Sequence, residues 1–208
     1  MKILILGATG PTGQQLVTQA LEQHHEVTAL VRNTGKLSIH HEKLTIIKGD
    51  ALDKHVVLKV LARQDAVISS LGKGQSLMAS GLITKAAGVL IPAMTEANVK
   101  RLIFLSGFGA GETFVQANLL QKIIFRTLLS GIYSDKGRAE KLIRSSTLDW
   151  TLVYPVVLTN TPATGKYIAK ERLTMKGMPK ISRADVATFM LAQLTDNSFI
   201  KKGVSLMS

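Results

Sequence analysis

Residues 7–13 read Gly7-Ala8-Thr9-Gly10-Pro11-Thr12-Gly13, a GxxGxxG run. Glycines at this spacing suit a diphosphate. Gly7 allows a tight turn, Gly10 lets the backbone approach an anion, and Gly13 lets a helix pack close to the preceding strand. A helix opening here offers free N–H groups and partial positive charge, with Thr9, Pro11 and Thr12 completing the loop. A glycine turn needed only for packing is the plainer alternative. Further along stands Arg32, with Lys36 close behind. An acidic residue at that distance would take a ribose hydroxyl, whereas an Arg accommodates a 2′-phosphate. NADPH is therefore expected ahead of NADH.

Such residues need a scaffold, and the sequence alternates strand and helix patterns. Lys2–Leu6 (KILIL) is a short apolar run, as in a strand buried on both faces. Gly13–Gln23 carries Leu16, Val17, Ala20 and Leu21 at helical spacing. Further strands are expected at Glu26–Val31, Leu44–Lys48, Asp65–Ser70, Arg101–Leu105 and Trp150–Tyr154. Helices are expected at Lys54–Ala62, Leu82–Ala97 with a kink at Pro92, Leu119–Leu129, Lys136–Arg144 and Arg183–Leu194. Strands separated by helices imply βαβ units and a parallel sheet. The expected fold class is α/β: a three-layer, doubly wound parallel sheet, the Rossmann fold, in a single domain over 1–208. A small substrate-side region is expected around 107–135 and 156–180. Within it, Thr159–Pro179 holds Pro162, Gly165, Gly177 and Pro179 and reads as a lid or substrate loop.

Composition narrows the field. The chain has 208 residues, 46% hydrophobic and 19% charged, which excludes a disordered tail. It has no cysteine, so disulfides, thiolate metal sites and cysteine nucleophiles are excluded. Its formal charge of +12 should attract anions. The cations are spread along the chain and no nucleic-acid module is recognisable, so a nucleic-acid role is not expected. No apolar run approaches the roughly 20 residues of a membrane-spanning helix. Met1–Leu6 is shorter than a secretory apolar core, so a cytoplasmic protein is expected. His24-His25 and His40-His41 lack a nearby carboxylate or cysteine to complete a ligand set, and no metal is expected. Leu119–Leu129, apolar with Lys122 and Arg126, stays open as core, dimer contact, active-site cover or membrane-surface helix. Monomer and homodimer are both compatible.

Four stretches taken together carry a resemblance: GATGPTG, Leu30-Val31-Arg32-Asn33, Gly49-Asp50 and Ser69-Ser70-Leu71-Gly72. They resemble the atypical short-chain dehydrogenase/reductase superfamily, and within it the NAD(P)H-binding, NmrA-like group with its biliverdin-IXβ and flavin reductases. The likeness continues through Leu105-Ser106, LDWTLVYP at Leu148–Pro155, TGKY at Thr164–Tyr167 and ISRADVA at Ile181–Ala187. It implies that Asp50 faces the adenine amino group with Ala51 beside it. It implies that Leu71 and Gly72 line the ribose and nicotinamide, and that Tyr154, Pro155 and Val156 pass near the carboxamide. Ser106 falls where the superfamily carries its catalytic serine, and Arg183 and Asp185 brace the late helix.

Members with full dehydrogenase chemistry also carry Tyr-x-x-x-Lys on one helix, the Lys lowering the Tyr pKa so that the Tyr can move a proton. Lys136, four before Glu140, matches the Lys, but position 132 is Ile. Tyr133 is one place off, about 100° around a helix. It can compensate if the helix starts after it. The resemblance thus implies an NADPH-dependent oxidoreductase that passes a hydride to a flavin or similar planar, conjugated and anionic acceptor. Such an acceptor delocalises the incoming charge, and solvent can supply the proton. Ser106, Lys136 and Tyr133 are the candidate catalytic groups. The alternative is a non-catalytic NAD(P)-binding redox sensor acting through a partner protein. An epimerase or dehydratase on a nucleotide sugar ranks last, because the chain leaves little room for a substrate domain.

Overall fold

A computed structural model of the protein describes residues 1–72, 81–117, 119–127, 130–173 and 177–208. The apolar runs become strands β1 (Lys2–Leu6), β2 (Glu26–Val31), β3 (Leu44–Lys48), β4 (Ala66–Ser69), β5 (Arg101–Leu105) and β6 (Asp149–Pro155). Four shorter or later strands follow: β7 (Val157–Thr159), β8 (Ile168–Lys170), β9 (Lys180–Ser182) and β10 (Lys202–Met207). The main sheet has eight strands in the order β3-β2-β1-β4-β5-β6-β10-β8. All its pairings are parallel except that of β8, which runs antiparallel on β10. β7 and β9 form a separate parallel pair. The strand order reverses between β1 and β4. Ligands of open α/β sheets bind at such a switch point, outside the carboxyl ends of the strands.

Helices cover both faces. α1 (Pro11–Glu22) and α6 (Arg183–Ala192) pack on one, and α2 (Lys54–Leu61), α3 (Leu82–Glu96) and α5 (Ser130–Arg144) on the other. The remaining helix is α4 (Leu119–Thr127). The unbroken apolar run of β1 serves both layers. Ile3 and Ile5 join Leu16, Val186 and Met190, while Leu4 and Leu6 join Val57, Leu90 and Leu102. Successive strand side chains point to opposite faces, so a doubly covered strand must be apolar throughout.

The structure departs from the sequence reading at several places. α1 begins at Pro11 and not at Gly13. Proline loses nothing at a first helical position, where its missing N–H would have no partner. α5 begins at Ser130, well before Lys136, so Tyr133 lies inside the helix and does not precede it. That turn is held by Tyr133 packing edge-on to Phe125 at 4.9 Å and by the bonds Asp135 makes to α3. Pro92 sits on the exposed side of α3 without ending it. Thr159–Pro179 is not all loop, because it contains β8, which β10 ties to the sheet. Residues 174–176 of that stretch, and 128–129 of the expected helix Leu119–Leu129, lie outside the described residues. Among the described residues, no helix is long and apolar enough to cross a membrane.

Candidate cofactor and active site

The glycine run turns from β1 into α1 at the switch point. Gly7 has φ +81, and a Cβ there would come within 2.7 Å of the Ser70 backbone carbonyl. Ser70 fastens this crossing, its N–H donating to the Leu6 carbonyl at 2.9 Å and its hydroxyl to the same oxygen at 3.1 Å. A Cβ on Gly13 would overlap the Gly7 carbonyl. Gly10 is different: its Cβ would approach only the Gly7 oxygen, at 3.4 Å. That side of the loop is open. The α1 N-terminus has no side-chain cap, and among the described residues the N–H groups of Thr12 and Gly13 have no carbonyl partner. An uncapped helix start facing an open glycine turn fits a diphosphate.

The neighbouring strand ends bring the other candidate cofactor residues together. Arg32 follows β2, is exposed, and forms no ion pair among the described residues. Asn33 accepts from the Gly35 N–H at 3.0 Å, a turn that carries the chain into the short 3-10 segment ending at Lys36. Gly49 bonds the Val31 carbonyl at 2.9 Å, which sets Asp50 and Ala51 beside Arg32. One Asp50 oxygen accepts from the Leu52 N–H at 3.0 Å. Leu71 and Gly72 leave β4 directly behind Gly7.

The candidate reacting groups come from β5, β6 and α5. Ser106 follows β5 and is 3% exposed. Its hydroxyl donates to Glu140 Oε1 at 2.5 Å, and its carbonyl accepts from Lys136 Nζ at 2.7 Å. A Cβ on Gly107 would stand 3.0 Å from Lys136 Nζ and 3.8 Å from the Tyr133 ring. Ser106, Lys136 and Tyr133 therefore do converge, around the Ser106-Gly107 backbone. Their electrostatics are unlike those of a tyrosine–lysine proton shuttle. Burial pushes the Tyr133 phenol up to about 12. Burial takes Lys136 down to about 8, against the opposing pull of the Glu140 charge. The Lys136 ammonium is bonded to a backbone carbonyl and not to Tyr133.

The Tyr154 side chain points into the molecule at the end of β6. It is 1% exposed, and its hydroxyl donates to Glu140 Oε2 at 3.0 Å and accepts from Arg144 Nη2 at 3.3 Å. Its side chain is thus engaged inside the molecule, leaving the backbone of Pro155 and Val156 at the strand end. Asp185 braces the chain, accepting from the N–H groups of Thr164 at 3.0 Å and Gly165 at 2.9 Å.

Two groups escaped the sequence reading. Glu140 appeared there only as a marker of spacing, yet it is 2% exposed and sits among the candidate groups. Its place one helical turn after Lys136 was the available signal. Asp135 was passed over beside the more conspicuous Lys136. A cleft of about 380 Å³ lies elsewhere, at the amino ends of β1 and β2 by Lys2, Glu26 and Arg63, away from the carboxyl edge where the glycine turn sits. His24, His40 and His41 line a common surface depression, and among the described residues no three His, Asp or Glu side chains are grouped to hold a metal.

Known proteins resemble this chain in family and in fold. The model of the NAD(P)H-binding family matches residues 7–197. The uncharacterized protein YwnB of Bacillus subtilis is 28% identical over 204 residues, covering 93% of this chain and 92% of its own. The structure of ChuY, an anaerobilin reductase of Escherichia coli O157:H7, is similar with a TM-score of 0.82 at 23% identity, covering 100% of this chain and 97% of that one. A short-chain dehydrogenase/reductase of Veillonella parvula in complex with NADP gives a TM-score of 0.84 at 21% identity, covering 100% and 94%. The two structural likenesses speak for the fold. The family match takes in the glycine turn, the strand ends around it and the late helix, and on that breadth the chain belongs to the NAD(P)H-binding family.

Proposed function

We propose that the protein is an NADPH-dependent reductase that hands a hydride to a flavin or a similar planar, conjugated and anionic acceptor. One observation carries this reading: Lys136 is bonded to the Ser106 carbonyl at 2.7 Å while the phenol of Tyr133 is pushed up to about 12. A proton-shuttling pair needs the reverse, a lysine at the tyrosine and a depressed phenol. Without that pair, interconversion of alcohol and ketone is poorly served. An acceptor that spreads the incoming charge over a conjugated system needs less help.

When bound, NADPH supplies the hydride. The chain does the rest. The glycine turn and the start of α1 hold the diphosphate, and Arg32 with Lys36 hold the 2′-phosphate. Asp50 and Ala51 flank the adenine, and Leu71 and Gly72 the ribose. Ser106 and Lys136 stand at the reacting end. Phe125, edge-on to Tyr133, and Phe114, with Arg126 5.3 Å above its ring, give the acceptor side aromatic surface and positive charge. The NADP complex of the Veillonella parvula protein and the reductase ChuY accord with this reading.

The test is a titration with NADPH and with NADH, followed by FMN in the same cuvette, read at the nicotinamide absorbance band. Tighter binding of NADPH, with oxidation only after FMN is added, is expected. Tight binding with no oxidation by FMN, quinones or biliverdin overturns the reductase and favours a redox sensor acting through a partner protein.

A further inference from the structure

The buried carboxylate of Glu140 has no part in the reaction described so far. Ser106 is gripped at both of its polar ends by one helix. Glu140 Oε1 takes its hydroxyl at 2.5 Å, and Lys136 Nζ, one turn earlier on α5, holds its carbonyl at 2.7 Å. The second Glu140 oxygen accepts from Tyr154 at 3.0 Å. Gly111 closes over that oxygen so tightly that a Cβ would collide with it. The groups facing Glu140 are therefore Lys136 and Arg144 from its own helix, Tyr154 from β6 and Ser106 from the end of β5. Beyond Arg144 lies Glu112, paired with it at 3.0 Å.

An ionised carboxylate can only accept hydrogen bonds, and a serine hydroxyl has one hydrogen to give. With that hydrogen committed to Glu140, Ser106 has lone pairs left for a ligand. Lys136 offers the complement, N–H donors beside the same backbone. We propose that Glu140 is a positioning residue of the active site: it fixes the Ser106 hydroxyl as a hydrogen-bond acceptor toward the bound ligand and sustains the positive charge of Lys136. The ligand group that meets Ser106 is then a donor, an amide or imide N–H or a hydroxyl. This inference rests on the reductase reading for its kinetic consequence, but not for its electrostatic one.

Burial raises the Glu140 pKa, with hydrogen bonds from Ser106 and Tyr154 and the charges of Arg144 and Lys136 pulling the other way. Burial also lowers Lys136, to about 8, and Glu140 opposes that shift. The negative charge of Glu140 thus supports the Lys136 ammonium, a support withdrawn when Glu140 takes up a proton, and Lys136 itself becomes neutral above about 8.

The experiment uses the full chain without cofactor, labelled with carbon-13 at the lysine ε position. The Lys136 resonance is assigned by its loss in Lys136→Met. In Glu140→Gln the amide oxygen still accepts from Ser106, but the charge is gone. Lys136 should then titrate lower than in the native protein, by about one pH unit or more. An unchanged Lys136 titration in a folded Glu140→Gln overturns the proposal. Should that variant not fold, the native protein decides alone. The Lys136 resonance must show a second step where Glu140 titrates, as coupled groups do, and its absence overturns the proposal. Where the native protein reduces FMN, Glu140→Gln should lower kcat about tenfold or more with NADPH binding unchanged, and Ser106→Ala added to it should cost little more. An unaltered kcat overturns the proposal as well. If FMN is not reduced at all, the reductase reading falls while the resonance still decides the role of Glu140.

Discussion

Thr84 and Asp135 join α3 to α5 through a closed set of bonds. The Asp135 carboxylate accepts from the Thr84 N–H at 3.1 Å and from its hydroxyl at 2.5 Å, and from the Ile83 N–H at 3.1 Å. α3 starts from a glycine with φ +64 and has no cap of its own, so a residue of α5 caps it. Asp135 adjoins Lys136, and this joint therefore helps set where the lysine enters the site. Asp135→Ala strips partners from buried N–H groups and should destabilise the fold by about 3 kcal/mol. Asp135→Asn, which keeps one acceptor oxygen, should cost about half as much. Urea denaturation measures both, and equal losses would refute the capping account.

Gly13→Ala should strongly weaken cofactor binding. The added methyl meets the Gly7 carbonyl and lies 2.8 Å from the Ala8 Cα, both backbone atoms that cannot rotate aside. The turn must open, and the N–H groups at the start of α1 lose their aim. NADPH affinity should fall about a hundredfold or more, with a lowered melting temperature. Gly10→Ala, where the nearest atom is 3.4 Å away, should melt close to the native protein. Calorimetric titration and thermal melts test the contrast.

Arg32→Asp should reverse or flatten the preference for NADPH over NADH. Losing a charge-assisted contact to a phosphate corresponds to about a tenfold to hundredfold loss of affinity. NADH binding should not weaken, because Arg32 is exposed and forms no ion pair among the described residues. An unchanged NADPH/NADH ratio would refute the assignment of the 2′-phosphate.

Lys136 gives the stability of the fold a signature in alkaline solution. Its folded pKa, about 8, lies below its ordinary value of 10.5 because burial disfavours the ammonium. Between those values the unfolded chain holds a proton that the folded chain has released, so this residue's contribution to stability grows as pH rises. It is lost again as pH falls through about 8. The stability of the native protein minus that of Lys136→Met should therefore increase across this window, on the order of 2–3 kcal/mol. A flat difference, by denaturation at several pH values, would show Lys136 to be solvated.

The fold was legible because strands covered on both faces had to be apolar throughout, and β1, β2 and β5 coincide with their apolar runs, as does β3 at the half-buried sheet edge. β10 was not, because Gly203 and Ser205 interrupt its apolar positions and only burial between β6 and β8 makes it a strand. The start of α5 was hidden in the same way, since Ser130 and Gly131 look like a break and the contacts that keep the turn helical come from Phe125, Ile83 and Thr84. In the site, the glycine turn announced itself by spacing alone. Glu140 did not. A buried carboxylate reads like any surface glutamate until Ser106 and Tyr154, distant in the chain, close on it.

Among the described residues, β8 pairs in the main sheet with β10 alone, and β10 lies well after it in the sequence. During synthesis, the half from β1 to β4 can assemble from neighbouring βαβ units as they emerge. The stretch leading to β8 has nothing to pair with until residues 202–207 arrive. Long-range pairing of this kind is slow, because the chain between must be closed before any contact rewards it. The half from β1 to β4 can thus take shape early on a nascent chain, whereas β8 finds its place only once β10 has emerged.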